Sequence, residues 1–99
     1  MTKYNFEWDP QKAKSNIIKH SVSFEEATTV FLDPNAISVY DEDHAGKEER
    51  WITIGISVSG RLILVCHTYF EISEDTVILR LYSARKTTLK EKKQYRGEK

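Results

Sequence analysis

The chain reads as an α+β domain: a helical hairpin packed on one face of an antiparallel β-sheet, closed by a C-terminal helix, in the order β-α-α-β-β-β-β-α. Three observations predict it. Two helix starts, Asp9-Pro10 and Ser23-Phe24-Glu25-Glu26, follow one another closely. From Ala36 onward, aliphatic residues alternate with polar ones and are punctuated by Ser59-Gly60. A last segment, Lys86 to Arg96, has six charged residues among its eleven and contains two threonines suited to capping. At 99 residues there is room for one core, so residues 1–99 are expected to form one domain.

Each element has its own warrant. Tyr4, Phe6 and Trp8 alternate with Asn5 and Glu7 as a short strand. Asp9 offers an N-cap carboxylate and Pro10 fits the first helical position, giving a helix to about Lys19-His20. Ser23 and Glu26 form a capping box for a second helix with Phe24, Ala27, Val30 and Phe31 on its apolar side, ending before Asp33-Pro34. Ala36 to Tyr40 is a strand, and Asp41 to Glu49 an acidic loop. Arg50 to Val58 and Arg61 to Phe70 form a hairpin through a two-residue Ser59-Gly60 turn. Thr76 to Ser83 is the last strand, and Thr87 or Thr88 caps the final helix.

The two-residue turn fixes a register in which Ile52 faces His67 and Arg50 faces Tyr69, so Arg50, His67 and Tyr69 share one face. Arg80 alternates with Leu79 and Leu81. An arginine within an apolar strand either pairs with a carboxylate, such as Glu49 or Glu7, or helps to bind phosphate. Cys66 alternates with Leu62 and Leu64 and reads as core. It is the only cysteine, so no intrachain disulfide forms, and a reducing cytoplasm is the expected location. No apolar run approaches a membrane span, and none resembles a secretory signal. Asp41-Glu42-Asp43-His44 lacks the pattern of a calcium loop and reads as solvated, so no metal site or cofactor is expected.

The formal net charge is zero, but this is a cancellation. Residues 1–49 hold five Lys/Arg against ten Asp/Glu, and residues 50–99 hold ten against five. Residues 80–99 alone carry +6, so the last strand and helix are expected to make a continuous basic surface.

Phe6-Glu7-Trp8-Asp9, Lys12, Asn16, Lys19-His20 and Val22-Ser23-Phe24-Glu25-Glu26-Ala27 resemble the start of the BrnT family. Phe31, Asp33-Pro34, Glu48-Glu49-Arg50-Trp51, Ile54-Gly55, Arg80, Tyr82-Ser83-Ala84-Arg85, Glu91 and Tyr95 continue the likeness in order. Ser21 stands where the family usually has glycine, and Tyr82 where it usually has isoleucine. The resemblance implies a ribonuclease toxin of a type II toxin–antitoxin system, with a RelE-like fold. It also implies a BrnA-like partner, a ribbon-helix-helix antitoxin that binds operator DNA, so that the toxin meets DNA only through the complex.

Metal-independent cleavage through the ribose 2′-hydroxyl needs cationic groups for the phosphate and groups that move protons. Arg50, Arg80 and Arg85 are candidates for the first role, and Glu49, His67 and Tyr95 for the second. Lys12, Lys19, His20, Lys86, Lys90 and Lys93 are candidate RNA contacts. A non-catalytic module that docks nucleic acid or an acidic protein on its basic face is the alternative.

Overall fold

Along β1 (Lys3–Glu7), Phe6 is half-buried and its neighbours Asn5 and Glu7 are exposed. This is the alternation of an edge strand with one covered face. The computed structural model describes residues 2–42 and 49–97. Asp9 caps α1 (Pro10–His20) by accepting from Gln11 N at 2.8 Å, with Pro10 at the helix start. Ser23 caps α2 (Phe24–Thr28) by accepting from Glu26 N at 3.0 Å. The helix then tightens into a 3₁₀ turn over Thr29–Leu32 instead of continuing as α to Asp33. At the switch, the Thr28 and Thr29 hydroxyls donate back to the Glu25 and Glu26 carbonyls, a local bonding that favours leaving the α-ladder.

The remaining elements are β2 (Ile37–Tyr40), β3 (Arg50–Ile56), β4 (Leu62–Thr68), β5 (Phe70–Glu71), β6 (Thr76–Lys86) and α3 (Leu89–Arg96). The strand order is β1-β6-β4-β3-β2, with β5 pairing β6. The expected purely antiparallel sheet is therefore corrected: β1 lies parallel to β6, and the sheet has six strands and is mixed. The helical hairpin carries the chain from β1 to the rest of the sheet, so no tight turn dictates β1's direction. Most of the predicted Asp41–Glu49 loop falls on residues 43–48, outside the described residues.

The β3–β4 register is also corrected, by one residue. Ile56 faces Leu62, Ile52 faces Cys66, and Arg50 faces Thr68. Ser57 N donates to Arg61 O at 2.8 Å and Gly60 N to Ser57 O at 2.9 Å, which makes a three-residue loop with Gly60 at φ 87°. Glu26 selects this turn from outside: its carboxylate accepts from the Ser57 and Ser59 hydroxyls and from the Arg61 guanidinium. A second irregularity lies between β4 and β6. Cys66 faces Ser83 while His67 faces Leu81, so Tyr82 is the extra residue of a bulge.

The core fills the space between α1–α2 and the sheet. Val22, Phe24, Ala27 and Val30 meet Ile63, Val65, Val77, Leu79, Leu81 and Ala84. Asn16 clamps α1 to the end of the sheet, donating to Val22 O at 2.9 Å and Ala84 O at 2.7 Å and accepting from Ala84 N at 3.1 Å. The opposite face carries Ile54 and Leu64, and α3 touches β3 on this side.

Candidate functional site

Leu79 and Leu81 point into the core, which turns Arg80 to the other face of the sheet. Arg50 faces Thr68, whose hydroxyl accepts from Arg80 N at 3.3 Å, and beyond the bulge Arg85 faces Leu64. Arg50, Arg80 and Arg85 thus stand on the sheet face opposite the α1–α2 pair, with Cys66 and Tyr82 among them. Arg50 lies over the Tyr82 ring, 4.7 Å from its centroid. Arg85 forks onto Glu91, with Nη1 to Oε1 at 2.8 Å and Nη2 to Oε2 at 2.9 Å, and this holds the Glu91 carboxyl down at about 2. Arg80 reaches Glu7 at 3.3 Å with both side chains half exposed, a weak pair. Arg80 and Arg85 thus each have a carboxylate partner in this structure, while Arg50 rests on a ring.

Cys66 is half-buried on this face, and burial pushes its thiol above the ordinary value. It shares this face with Leu62 and Leu64, as their alternation predicts, but it is half-buried and stands outside the core between the helices and the sheet. The expectation that Arg50, His67 and Tyr69 share a face came from the slipped register. The structure turns Arg50 to the other face and keeps His67 and Tyr69 together, because a one-residue slip of one strand against the other reverses which side chains match across the pair.

His67 is instead an interior histidine, 3% exposed. Its Nδ1 lies 2.9 Å from Thr68 O, which can only accept, so the proton sits on Nδ1. Nε2 then accepts from the Thr53 hydroxyl at 2.7 Å, and Thr53 accepts from Ser38 at 2.8 Å. The Phe31 ring packs edge-to-face against the imidazole, with centroids 5.0 Å apart, and burial lowers the His67 pKa, which favours the neutral form.

Beyond His67 a cleft of about 430 Å³ opens. Its walls include Tyr4, Phe31, Trp51 and Tyr69, and its carboxylates are Glu49 and Glu71. Tyr40, Trp51 and Tyr69 form a row of rings with centroids 5.4 and 6.4 Å apart. The Trp51 indole N–H is buried and has no acceptor among the described residues. Burial, reinforced by the charge of Glu71, raises the Tyr69 hydroxyl pKa. A neighbouring cleft of about 450 Å³ is lined by Glu7, Glu49, Tyr69 and Arg80. This aromatic row was hidden in the sequence, because the assumed register scattered its members over two faces.

The family model for the BrnT ribonuclease toxin of type II toxin–antitoxin systems matches residues 8–91. The chain belongs to the BrnT family. The crystal structure of the Brucella abortus ribonuclease toxin BrnT superposes with a TM-score of 0.61 at 20% identity, covering 88% of this chain and 99% of that one. That likeness speaks to the α+β fold. No curated protein sequence matches the chain.

The BrnT match spans Glu49, all three arginines and Glu91, while Tyr95 lies just beyond it. Tyr95 donates to Asp33 Oδ2 at 2.6 Å, and the same oxygen accepts from Ile56 N at 2.8 Å. The tyrosine therefore fastens α3, through Asp33, to the end of β3. Lys86, Lys90 and Lys93 are exposed at the end of β6 and along α3, next to Arg85 in the chain. Lys12, Lys19 and His20 belong to α1, which packs on β6 from the helix side, so the structure does not bring them to the arginine face. Among the described residues, no three His, Cys, Asp or Glu side chains converge in a way that could hold a metal ion, and no helix is long and apolar enough to cross a membrane.

Proposed function

We propose that this BrnT-family toxin is a RelE-like, cytoplasmic endoribonuclease that cuts RNA without a metal ion and thereby inhibits translation. The observation that carries the reading is the placement of Arg50, Arg80 and Arg85 on one sheet face. In this mechanism the ribose 2′-hydroxyl loses its proton and attacks the adjacent phosphorus. The bond to the 5′-oxygen breaks and that oxygen takes a proton from water, while the proton removed from the 2′-hydroxyl returns to solvent, leaving a 2′,3′-cyclic phosphate and a 5′-hydroxyl end. The arginines balance the charge that builds on the phosphoryl oxygens.

Glu49 is the proposed proton acceptor, since it is exposed and lines the same cleft as Arg80. Glu91 holds the Arg85 guanidinium in a fixed plane, and Lys86, Lys90 and Lys93 extend the phosphate track. His67, with both ring nitrogens engaged in the interior, and Tyr95, bound to Asp33, act in this scheme by holding the scaffold. Lys12, Lys19 and His20 lie outside the proposed RNA path. The partner that silences the toxin is a BrnA-like ribbon-helix-helix antitoxin.

The test uses purified protein, RNA and excess chelator, with the product ends identified. Cyclic phosphate and 5′-hydroxyl ends are expected. Loss of cleavage with chelator, or 3′-hydroxyl ends, overturns the mechanism. Arg50→Ala and Arg85→Ala should each slow cleavage on the order of 10²–10³-fold, the usual cost of removing one charge-stabilising donor. Salt-sensitive RNA binding without products would favour a non-catalytic module instead.

A further inference from the structure

The arginine face accounts for phosphate, but it leaves the aromatic cleft on the helix side without a role. That cleft has the opposite chemistry. Tyr4, Phe31, Trp51 and Tyr69 supply ring faces, and Glu49 and Glu71 supply two carboxylates. No Lys or Arg lines it among the described residues. Glu49 stands where this cleft borders the Arg80 cleft, but on the Glu71 side a phosphodiester would be repelled, and the arginines suited to phosphate are turned to the other face. Ring faces with carboxylates at the rim suit a guanidinium, which stacks on an aromatic and forks onto a carboxylate at once. The volume, about 430 Å³, accommodates one long side chain with its adjoining backbone.

We infer that this cleft receives an arginine side chain of the antitoxin. The inference rests on the toxin–antitoxin reading above and deepens it. A cation seated between Glu49 and Glu71 would also neutralise the proposed proton acceptor, so docking and silencing would be one event.

The first experiment compares binding of the toxin to the protein encoded by the adjacent open reading frame, for the unaltered chain and for Glu71→Gln. Glu71 is exposed and outside the cleavage machinery, so Glu71→Gln should cleave RNA normally. It should weaken the complex about tenfold or more, in the range of a lost charge contact at an interface. A complex of unchanged affinity overturns the inference and leaves the toxin–antitoxin reading standing. Absence of any complex overturns both.

The second experiment titrates the full-length toxin with N-acetylarginine methylamide, its neutral citrulline counterpart and guanosine 5′-monophosphate. The reporter is the Trp51 indole N–H resonance, assigned by its loss in Trp51→Phe. A saturable shift with the arginine compound alone, reduced in Glu71→Gln, supports the inference. Saturation by the nucleotide would make the cleft a base pocket for RNA and overturn it, as would no response to any of the three.

Discussion

At the scale of single residues, Ser21 shows how a chain tolerates a local cost. It ends α1 at φ 57°, ψ 33°, and its N–H donates to Ile17 O at 2.9 Å. Glycine adopts this left-handed conformation freely, whereas a side chain there costs about 1–2 kcal/mol. Ser21→Gly should therefore stabilise the fold by about 1 kcal/mol, less the entropy glycine adds to the unfolded chain. Thermal unfolding should show a midpoint raised by roughly 4 °C, and an unchanged or lowered midpoint would count against the account. Gly55 is the reverse case. A Cβ there would sit 2.8 Å from Val30 Cγ1 and 3.1 Å from the Val30 carbonyl, and backbone cannot step aside. Gly55→Ala should cost about 1–3 kcal/mol in a denaturant titration. Residues whose partners are local were legible in the sequence: the caps Asp9, Ser23 and Thr88 bond donors within three positions. His67 was not, because its partners come from β3, from the 3₁₀ turn and from its own strand end.

At the scale of elements, periodicity placed both helices of the hairpin, the β-rich second half and the terminal helix. It did not place register. Ser59-Gly60 is compatible with loops of two or three residues, and the choice is made by Glu26 on α2, far away in sequence. The Tyr82 bulge likewise answers to packing between β4 and β6. The same long-range carboxylate predicts a pH response. Hydrogen bonds, first that from Arg61, hold the Glu26 carboxyl at about 2, and those from Arg85 do the same for Glu91, against an ordinary 4.5. Their stabilisation is present above pH 4.5 and is lost as pH falls toward 2, because the unfolded chain takes up those protons first. His67 acts earlier. Its pKa is lowered from 6.5 in the fold, so the unfolded chain gains the proton first and stability begins to fall below that pH. Urea midpoints measured from pH 8 to pH 2 should thus decline in two stages. In Glu26→Gln the lower stage should shrink, and an unaltered profile would show that the carboxylate does not anchor the turn.

At the scale of the whole molecule, the zero net charge conceals an arrangement in space. The arginine face and α3 gather cations on one side of the sheet, and the aromatic cleft gathers carboxylates on the other. A partner that neutralises both must present complementary charges in a set orientation, and the field of the toxin would orient it before contact. Steering of this kind appears in the association rate more than in dissociation, and it is screened over about 10 Å at 0.1 M salt. Stopped-flow mixing of toxin and antitoxin should therefore show association slowing about tenfold or more between roughly 0.05 and 0.5 M salt, with dissociation changing much less. In Glu71→Gln the salt slope should flatten, since one of the steering charges is gone. Association equally fast across that range would mean that the two charged faces are solvated surface and that packing alone brings the partners together.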